Sequence, residues 1–247
     1  MNIVMLGATR GMGRALARLL AERGDRVFLL GRYPEELERS ASDLAVRAPN
    51  YKGFRGHARC DLSDTSSFGP ALRAAEEALG RIDIVVVTAG MFATQEQLEL
   101  DIDRTELLLR VNFTNTVVFC EHARTTMMAG GGGTLCVFSS VAGDRGRKPV
   151  ALYGASKAGL SHYLESLDHR FRDQGLVTIC VKPGFVKTGM TAGLKPPPFA
   201  GEPEEVAQDV LKAIDAGTPL VYSPSIWRWI MLVIMHLPRA VMRRVGF

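Results

Sequence analysis

Tyr153 and Lys157 stand four residues apart, and Ser140 precedes the tyrosine by thirteen. On a helix, positions i and i+4 share a face, so a phenol and an ammonium at this spacing can look into one pocket. A free phenol titrates near ~10 and exchanges protons sluggishly at neutral pH. A fixed cation beside it favours the phenolate and moves its pKa toward the range of an acid–base catalyst. A serine arriving from a separate strand can hydrogen-bond a carbonyl oxygen and hold it beside the tyrosine. The same Tyr-x3-Lys spacing also occurs on ordinary amphipathic helix surfaces, so its meaning depends on the elements that position it.

Residues 3–6 are a short apolar run suited to a buried parallel strand. Gly7, Gly11 and Gly13 follow, with Thr9, Arg10 and Met12 in the same loop, and then Ala15, Leu16, Leu19 and Leu20 repeat with helical period. Strand, glycine turn and helix in that order form a phosphate cradle. Gly7 permits the tight turn, Gly11 lets the backbone approach a pyrophosphate, and Gly13 allows close helix–strand packing. The spacing is G-x3-G-x-G, not the commoner G-x-G-x2-G, and a glycine-rich turn without a ligand is the alternative. A second strand, 27–30, ends at Gly31-Arg32. A carboxylate here would bind the ribose 2′-hydroxyl of NAD, whereas an arginine accommodates the 2′-phosphate of NADP. Arg32 and Arg10 together favour NADP(H) over NAD(H) through charge-assisted bonds that a hydroxyl does not repay. The alternative is two solvated loop arginines.

Residues 34–48 read as a helix opening on Pro34. A third strand leads to Asp61-Leu62, where Asp61 could accept a bond from an adenine amine. Ser63 or Asp64 could instead cap the helix that ends near Leu79. The β-branched strand 82–87 precedes Thr88-Ala89-Gly90, a small-residue turn that lets the backbone pass close to a cofactor ribose. A helix from 98 continues through Asn112 toward Met128, and Asn112 either faces the site or fills an ordinary turn. Strand 135–138 delivers Ser140, helix 151–171 carries Tyr153 and Lys157, and strand 176–181 runs into Pro183-Gly184. Residues 185–202, with Val186, Thr188 and three consecutive prolines, read as an irregular substrate loop. A helix 204–216 and a strand 220–222 follow. The alternation predicts an α/β fold: one doubly wound parallel sheet of about seven strands, helices on both faces, and a single domain over 1–247.

Composition agrees. The 47% hydrophobic and 23% charged content is that of an ordinary globular enzyme. The net charge of +4 is small and its basic residues are scattered up to the last stretch, which argues against a nucleic-acid partner. The four cysteines show no metal-binding spacing, so no metal is expected and reduced thiols in a cytoplasmic protein are the simplest reading. The first residues lack the basic and apolar regions of a signal peptide.

These pieces, in order, resemble the short-chain dehydrogenase/reductase family over nearly the whole chain: Gly7-x3-Gly11-x-Gly13, Asp61-Leu62, Thr88-Ala89-Gly90, Asn112, Ser140, Tyr153-x3-Lys157 and Pro183-Gly184-x-Val186-x-Thr188. Thr88 stands where the family usually has asparagine. The resemblance implies a Rossmann-type enzyme that reduces a small-molecule carbonyl with NADPH and assembles as a homodimer or homotetramer. It implies that Tyr153 protonates the substrate oxygen, Ser140 positions it, and Lys157 binds the nicotinamide ribose and lowers the tyrosine pKa. Asn112 would support a water chain, and Val186 and Thr188 would hold the nicotinamide carboxamide. A narrower similarity, over Ser139-Ser140-x-Ala142-Gly143-x-Arg145, Tyr153-Gly154-x-Ser156-Lys157-Ala158-Gly159-Leu160 and the tail, is to decaprenylphosphoryl-2-keto-erythro-pentose reductases. It implies a lipid-linked keto-sugar as substrate. The rival class is a non-catalytic NADP(H)-binding sensor or scaffold, against which the complete Ser140–Tyr153–Lys157 set argues.

Residues 224–247 differ in composition from everything before them. The apolar stretch between Pro224 and Pro238 is shorter than the ~20 residues of a membrane span. Two tryptophans beside Arg239, Arg243 and Arg244 suit an interfacial anchor, peripheral to the inner face of a membrane. The alternative is an apolar helical tail packed on the substrate pocket or in a subunit interface.

Overall fold

The computed structural model describes residues 1–47 and 54–246. Seven strands are hydrogen-bonded in the order β3-β2-β1-β4-β5-β6-β7, every neighbouring pair parallel. They are β1 (Asn2–Leu6), β2 (Arg26–Gly31), β3 (Phe54–Arg59), β4 (Ile84–Val87), β5 (Gly133–Phe138), β6 (Leu176–Pro183) and β7 (Leu220–Ser223). Parallel strands need helical crossovers, and helices on both sides bury both faces of the sheet. Side chains alternate accordingly. Ile3 and Met5 of β1 pack with α1 (Gly11–Arg23), α2 (Pro34–Arg47) and α8 (Pro203–Ala216). Val4 and Leu6 pack with α3 (Phe68–Leu79), α6 (Asn115–Ala129) and α7 (Ala151–Phe171). Strand order reverses between β1 and β4, and in sheets of this kind the cleft opens at the carboxyl ends of such a pair.

The four cysteines are free and buried, Cys136 in the first of these layers and Cys60, Cys120 and Cys180 in the second. Burial pushes the Cys60 thiol up to about 12 and raises the other three as well.

Two expectations need correction, and a third cannot be placed. The helix expected to run unbroken from 98 past Asn112 is divided into α4 (Gln95–Leu100), α5 (Ile102–Leu109), a π-helical turn (Arg110–Thr114) and α6. The break is at Asp101, whose extended backbone ends one helix while its carboxylate accepts the Arg104 amide at 2.9 Å to start the next. Neither Ser63 nor Asp64 caps α3. Asp64 instead binds the Ser66 hydroxyl and Arg59, and Ser63 donates to Asp61. The expected end of α2, Ala48, lies outside the described residues.

The tail folds as α9 (Ile226–His236) and the short α10 (Arg239–Met242). Trp227, Met231 and Ile234 bury against Val141, Phe185 and Tyr222, so α9 leans on the loop that follows β5. Among the described residues no helix is long and apolar enough to cross a membrane.

Gly13 is the tightest joint beneath the cleft. A Cβ added there would sit 2.4 Å from both the Gly7 carbonyl oxygen and Thr88 Oγ1, whereas one added at Gly189 would meet nothing within 4 Å. Gly13→Ala is therefore expected to lower unfolding free energy by about 1–3 kcal/mol, and Gly189→Ala to stay within about 0.5 kcal/mol. Urea unfolding of both variants checks this, and equal losses would refute the steric account.

Candidate functional site

The cleft begins at the glycine loop. Gly7 adopts φ +101°, which favours glycine, and its amide donates to the Leu30 carbonyl at 3.1 Å. Arg10 is extended and no side chain caps α1, so the first amides of that helix remain open to an anion. Thr88 ties the turn down: its hydroxyl donates to the Gly7 carbonyl at 2.9 Å, and the Ala89 amide donates to the Leu6 carbonyl at 3.1 Å. Thr188 lies across the loop, its methyl 3.3 Å from where a Gly11 Cβ would be. Thr9 offers its carbonyl to the Arg14 guanidinium, and Met12 packs partly buried against the first core layer.

The two arginines have different partners. Arg10 is ion-paired with Glu36, an acid the sequence reading gave no role, while Arg32 stacks on the Tyr33 ring at 5.1 Å and is otherwise exposed. Asp61 is partly occupied within its own turn. One carboxylate oxygen accepts from the Ser63 amide and hydroxyl at 2.9 and 2.8 Å, and the other faces Arg59 at 3.7 Å. Asn115 donates to the Leu62 carbonyl at 2.6 Å, anchoring that turn to α6.

Ser140, Tyr153 and Lys157 are brought together where β5 ends against α7. Ser140 caps the turn Val141–Gly143, its hydroxyl accepting the Ala142 amide at 3.1 Å. Tyr153 is half-buried, with its ring held edge-on to Phe92 at 5.2 Å. Lys157 is only 5% exposed and donates to the Phe138 carbonyl at 2.9 Å, its ammonium 5.9 Å from the Tyr153 ring centre. Gly90 leaves the space into which this ammonium and Asn112 reach: a Cβ there would lie 3.7 Å from Lys157 Nζ and 3.2 Å from Asn112 Oδ1. Asn112 sits buried in the π-turn and exchanges two 2.8 Å hydrogen bonds with the amide and carbonyl of Met91. The side chain is thereby held against the Met91 backbone.

Burial dominates the electrostatics. It pushes the Tyr153 phenol up to about 12, with the Ser140 hydroxyl pulling against the shift, and it lowers the Lys157 ammonium to about 8. The expected lowering of the phenol by the neighbouring amine is thus outweighed here, because the ammonium is aimed at the Phe138 carbonyl rather than at the phenol oxygen. A phenol titrating that high holds its proton at neutral pH and can give it.

Pro183 ends β6 and is buried, and beyond it Val186 bridges to Gly201. Thr188 accepts the Met190 amide at 3.2 Å. A cavity of about 380 Å³ is lined here by Phe185, Lys187, Thr188, Thr191, Leu194 and Pro196, among others. Gly184, grouped by sequence with the cofactor residues, also meets the tail: a Cβ there would fall 2.0 Å from Trp227 Nε1. Sequence reasoning also missed Asp144. Its buried carboxylate accepts from Lys182 Nζ at 2.5 Å and from the Tyr222 hydroxyl at 2.9 Å, which locks the loop after β5 to β6 and β7. Nothing in its spacing distinguishes it from a surface acid.

A model of the short chain dehydrogenase family matches residues 1–198. An uncharacterized oxidoreductase of Mycobacterium tuberculosis is 31% identical over 98% of this chain and 96% of its own. Carbonyl reductase family member 4 of Danio rerio is 31% identical over 93% of this chain and 94% of its own. An actinorhodin polyketide ketoreductase crystallised with NADPH shares the fold with a TM-score of 0.79 at 23% identity, covering 90% of this chain and 95% of the ketoreductase.

The depressed pKa of Lys157 makes a stability prediction. The unfolded ammonium, with its ordinary value of 10.5, binds a proton more tightly than the native one at about 8. Lys157 therefore destabilises the native state below pH 8, and this cost fades as pH rises toward 10.5. At roughly 1.4 kcal/mol per unit the full cost is about 3–4 kcal/mol. Urea unfolding should find Lys157→Met more stable than wild type at pH 7, with the difference shrinking across that window. A pH-independent difference would contradict the buried-ammonium account.

Proposed function

The chain belongs to the short-chain dehydrogenase/reductase family of oxidoreductases, and on that premise we propose that it reduces a ketone, a keto-sugar in particular, to the alcohol with NADPH. The observation that carries this reading is a half-buried Tyr153, its phenol raised by burial, beside Ser140 and one helical turn before a buried Lys157. A dinucleotide fits the residues present: the amides opening α1 are uncapped, and side chains are missing where the backbone must be approached, at Gly7, Gly11 and Gly90. The glycine loop from Gly7 to Gly13 would hold the pyrophosphate, Asp61 and Leu62 the adenine, Ala89 and Gly90 a ribose, and Val186 and Thr188 the carboxamide. When bound, the nicotinamide cofactor supplies the hydride.

Ser140 hydrogen-bonds the carbonyl oxygen and fixes it beside the phenol. Tyr153 donates its proton to that oxygen as charge develops there. Lys157, charged at neutral pH, stabilises the phenolate left behind and would hold the nicotinamide ribose of a bound cofactor. Asn112 holds the Met91 backbone and with it the wall of the cleft, and its second N–H is left to orient a water toward Lys157. Arg32, unpaired by any acid among the described residues, would hold the 2′-phosphate of NADP, and Arg10, now paired with Glu36, would join it. The NADPH-bound ketoreductase of the same fold is consistent with this choice. The keto-sugar assignment rests on the likeness of residues 139–160 to keto-pentose reductases.

Tyr153→Phe is expected to lower kcat by roughly 10²–10⁴-fold over a panel of diketones, keto-sugars and lipid-linked keto-sugars, read as NADPH consumption. Equal turnover by the two proteins would show that another group is the acid. Arg32→Asp should weaken NADPH by roughly ten- to a hundredfold relative to NADH, as the loss of one charge-assisted bond predicts. An unaltered preference in the ratio of kcat/KM values would remove Arg32 from cofactor selection.

A further inference from the structure

The positive charge of this chain is concentrated in one place. Residues 216–247 contain four arginines, Arg228, Arg239, Arg243 and Arg244, and no aspartate or glutamate. The 30 basic residues less these four equal the 26 acidic ones, so residues 1–215 are balanced and the last segment carries the whole excess. All four arginines are exposed.

The same segment presents an apolar face to solvent. Trp227, Met231 and Ile234 turn inward, and on the opposite side of α9 Ile226, Trp229, Leu232 and Val233 point out, with Trp229 and Val233 both 63% exposed. Eleven residues at ~1.5 Å each give a helix of about 16 Å, roughly half of a hydrocarbon core, so α9 is suited to lie along an interface and not to cross one. A second copy of the chain is a poorer occupant. A two-fold contact through this face would bring arginines from both copies together, and the segment has no acid to answer them.

We propose that α9 docks flat on an anionic lipid bilayer, with Trp229 and Val233 entering the acyl boundary and Arg228, Arg239, Arg243 and Arg244 on the headgroups. The inner side of this helix is tied to both walls of the cleft. The Trp227 indole donates to the Phe199 carbonyl at 3.1 Å, the Arg145 guanidinium donates to the Leu237 carbonyl at 2.9 Å, and Val141 of the buried contact follows Ser140 directly. The loop held this way exposes Met190, Leu194 and Phe199. Docking therefore brings a substrate loop with an apolar surface to the lipid, and the substrate class it suits is a carbonyl on an amphiphile resident in the bilayer. The substrate clause rests on the reductase reading above; the docking does not.

The test is cosedimentation of the full chain with phosphatidylcholine vesicles, with and without phosphatidylglycerol. The full chain should bind the anionic vesicles at least tenfold more tightly. The double variant Trp229→Ser with Val233→Ser should weaken that binding tenfold or more, and the triple variant Arg239→Ser, Arg243→Ser, Arg244→Ser should bind both vesicle types alike. Bromolipid should quench the emission of wild type, which needs no variant to fold. Failure of the full chain to bind, unchanged binding by the double variant, or unquenched emission would overturn the proposal. A change in sedimentation-velocity mass of the double variant with vesicle binding intact would assign the face to a second copy and overturn it equally. Tyr153→Phe should bind vesicles like wild type. If that variant also turns over substrate normally, the catalytic reading fails while the docking stands.

Discussion

An ammonium enclosed by protein, with one backbone carbonyl as its partner, is the constraint around which this site is arranged. Lys157 reaches the Phe138 carbonyl only because α7 seats close on the end of β5, and two glycines make that seat. A Cβ at Gly143 would lie 2.7 Å from the Ala158 amide, and one at Gly154 would lie 2.7 Å from the Ala142 carbonyl oxygen. Ser139 completes the joint by donating to the Lys157 carbonyl at 2.9 Å and sharing a 2.7 Å bond with Ser161. With α7 fixed at this height, Ser140, Tyr153 and Lys157 face the same opening. The cleft between them is the gap that the reversal of strand order leaves.

Stability is given up to keep that charge inside. A buried lysine without a carboxylate partner is costly, and here the surrounding structure holds it: the Met91–Asn112 pair, the adjoining Gly90, and α7 itself. The π-turn belongs to the same arrangement. One extra residue per turn rotates Asn112 inward while α5 and α6 keep their own faces on the core. The structural irregularity therefore lies at the functional side chain, as is common for π-bulges.

Most of this architecture is legible in the sequence where burial is complete. The Ile84–Val87 run is apolar at every position because both faces of the strand are covered, and the glycines of the first turn announce a backbone that side chains must avoid. Tyr153 and Lys157 are readable as a pair because helical spacing fixes their shared face. Spacing does not report depth, however, and depth decides that burial, not the neighbouring cation, governs the phenol. The break at Asp101 is hidden because the residues on either side are good helix formers and only a side-chain cap divides them. The π-turn leaves no compositional trace. The Arg10–Glu36 pair spans 26 positions and follows from where α2 is laid down after β2, which no local pattern contains. In the tail, alternating inward and outward positions acquire meaning only once Val141 and Phe185 identify the inner side.

The distribution of the thiols has a consequence for how the molecule's opening can be followed. One cysteine lies in the layer beneath α1 and α8 and three lie in the layer beneath α3, α6 and α7, and all are shut away and held as unreactive thiols. Alkylating reagents reach a sulfur only when its layer comes apart. Isotope-coded alkylation, resolved peptide by peptide, thus separates detachment of one flank of the sheet from detachment of the other with the natural sequence intact.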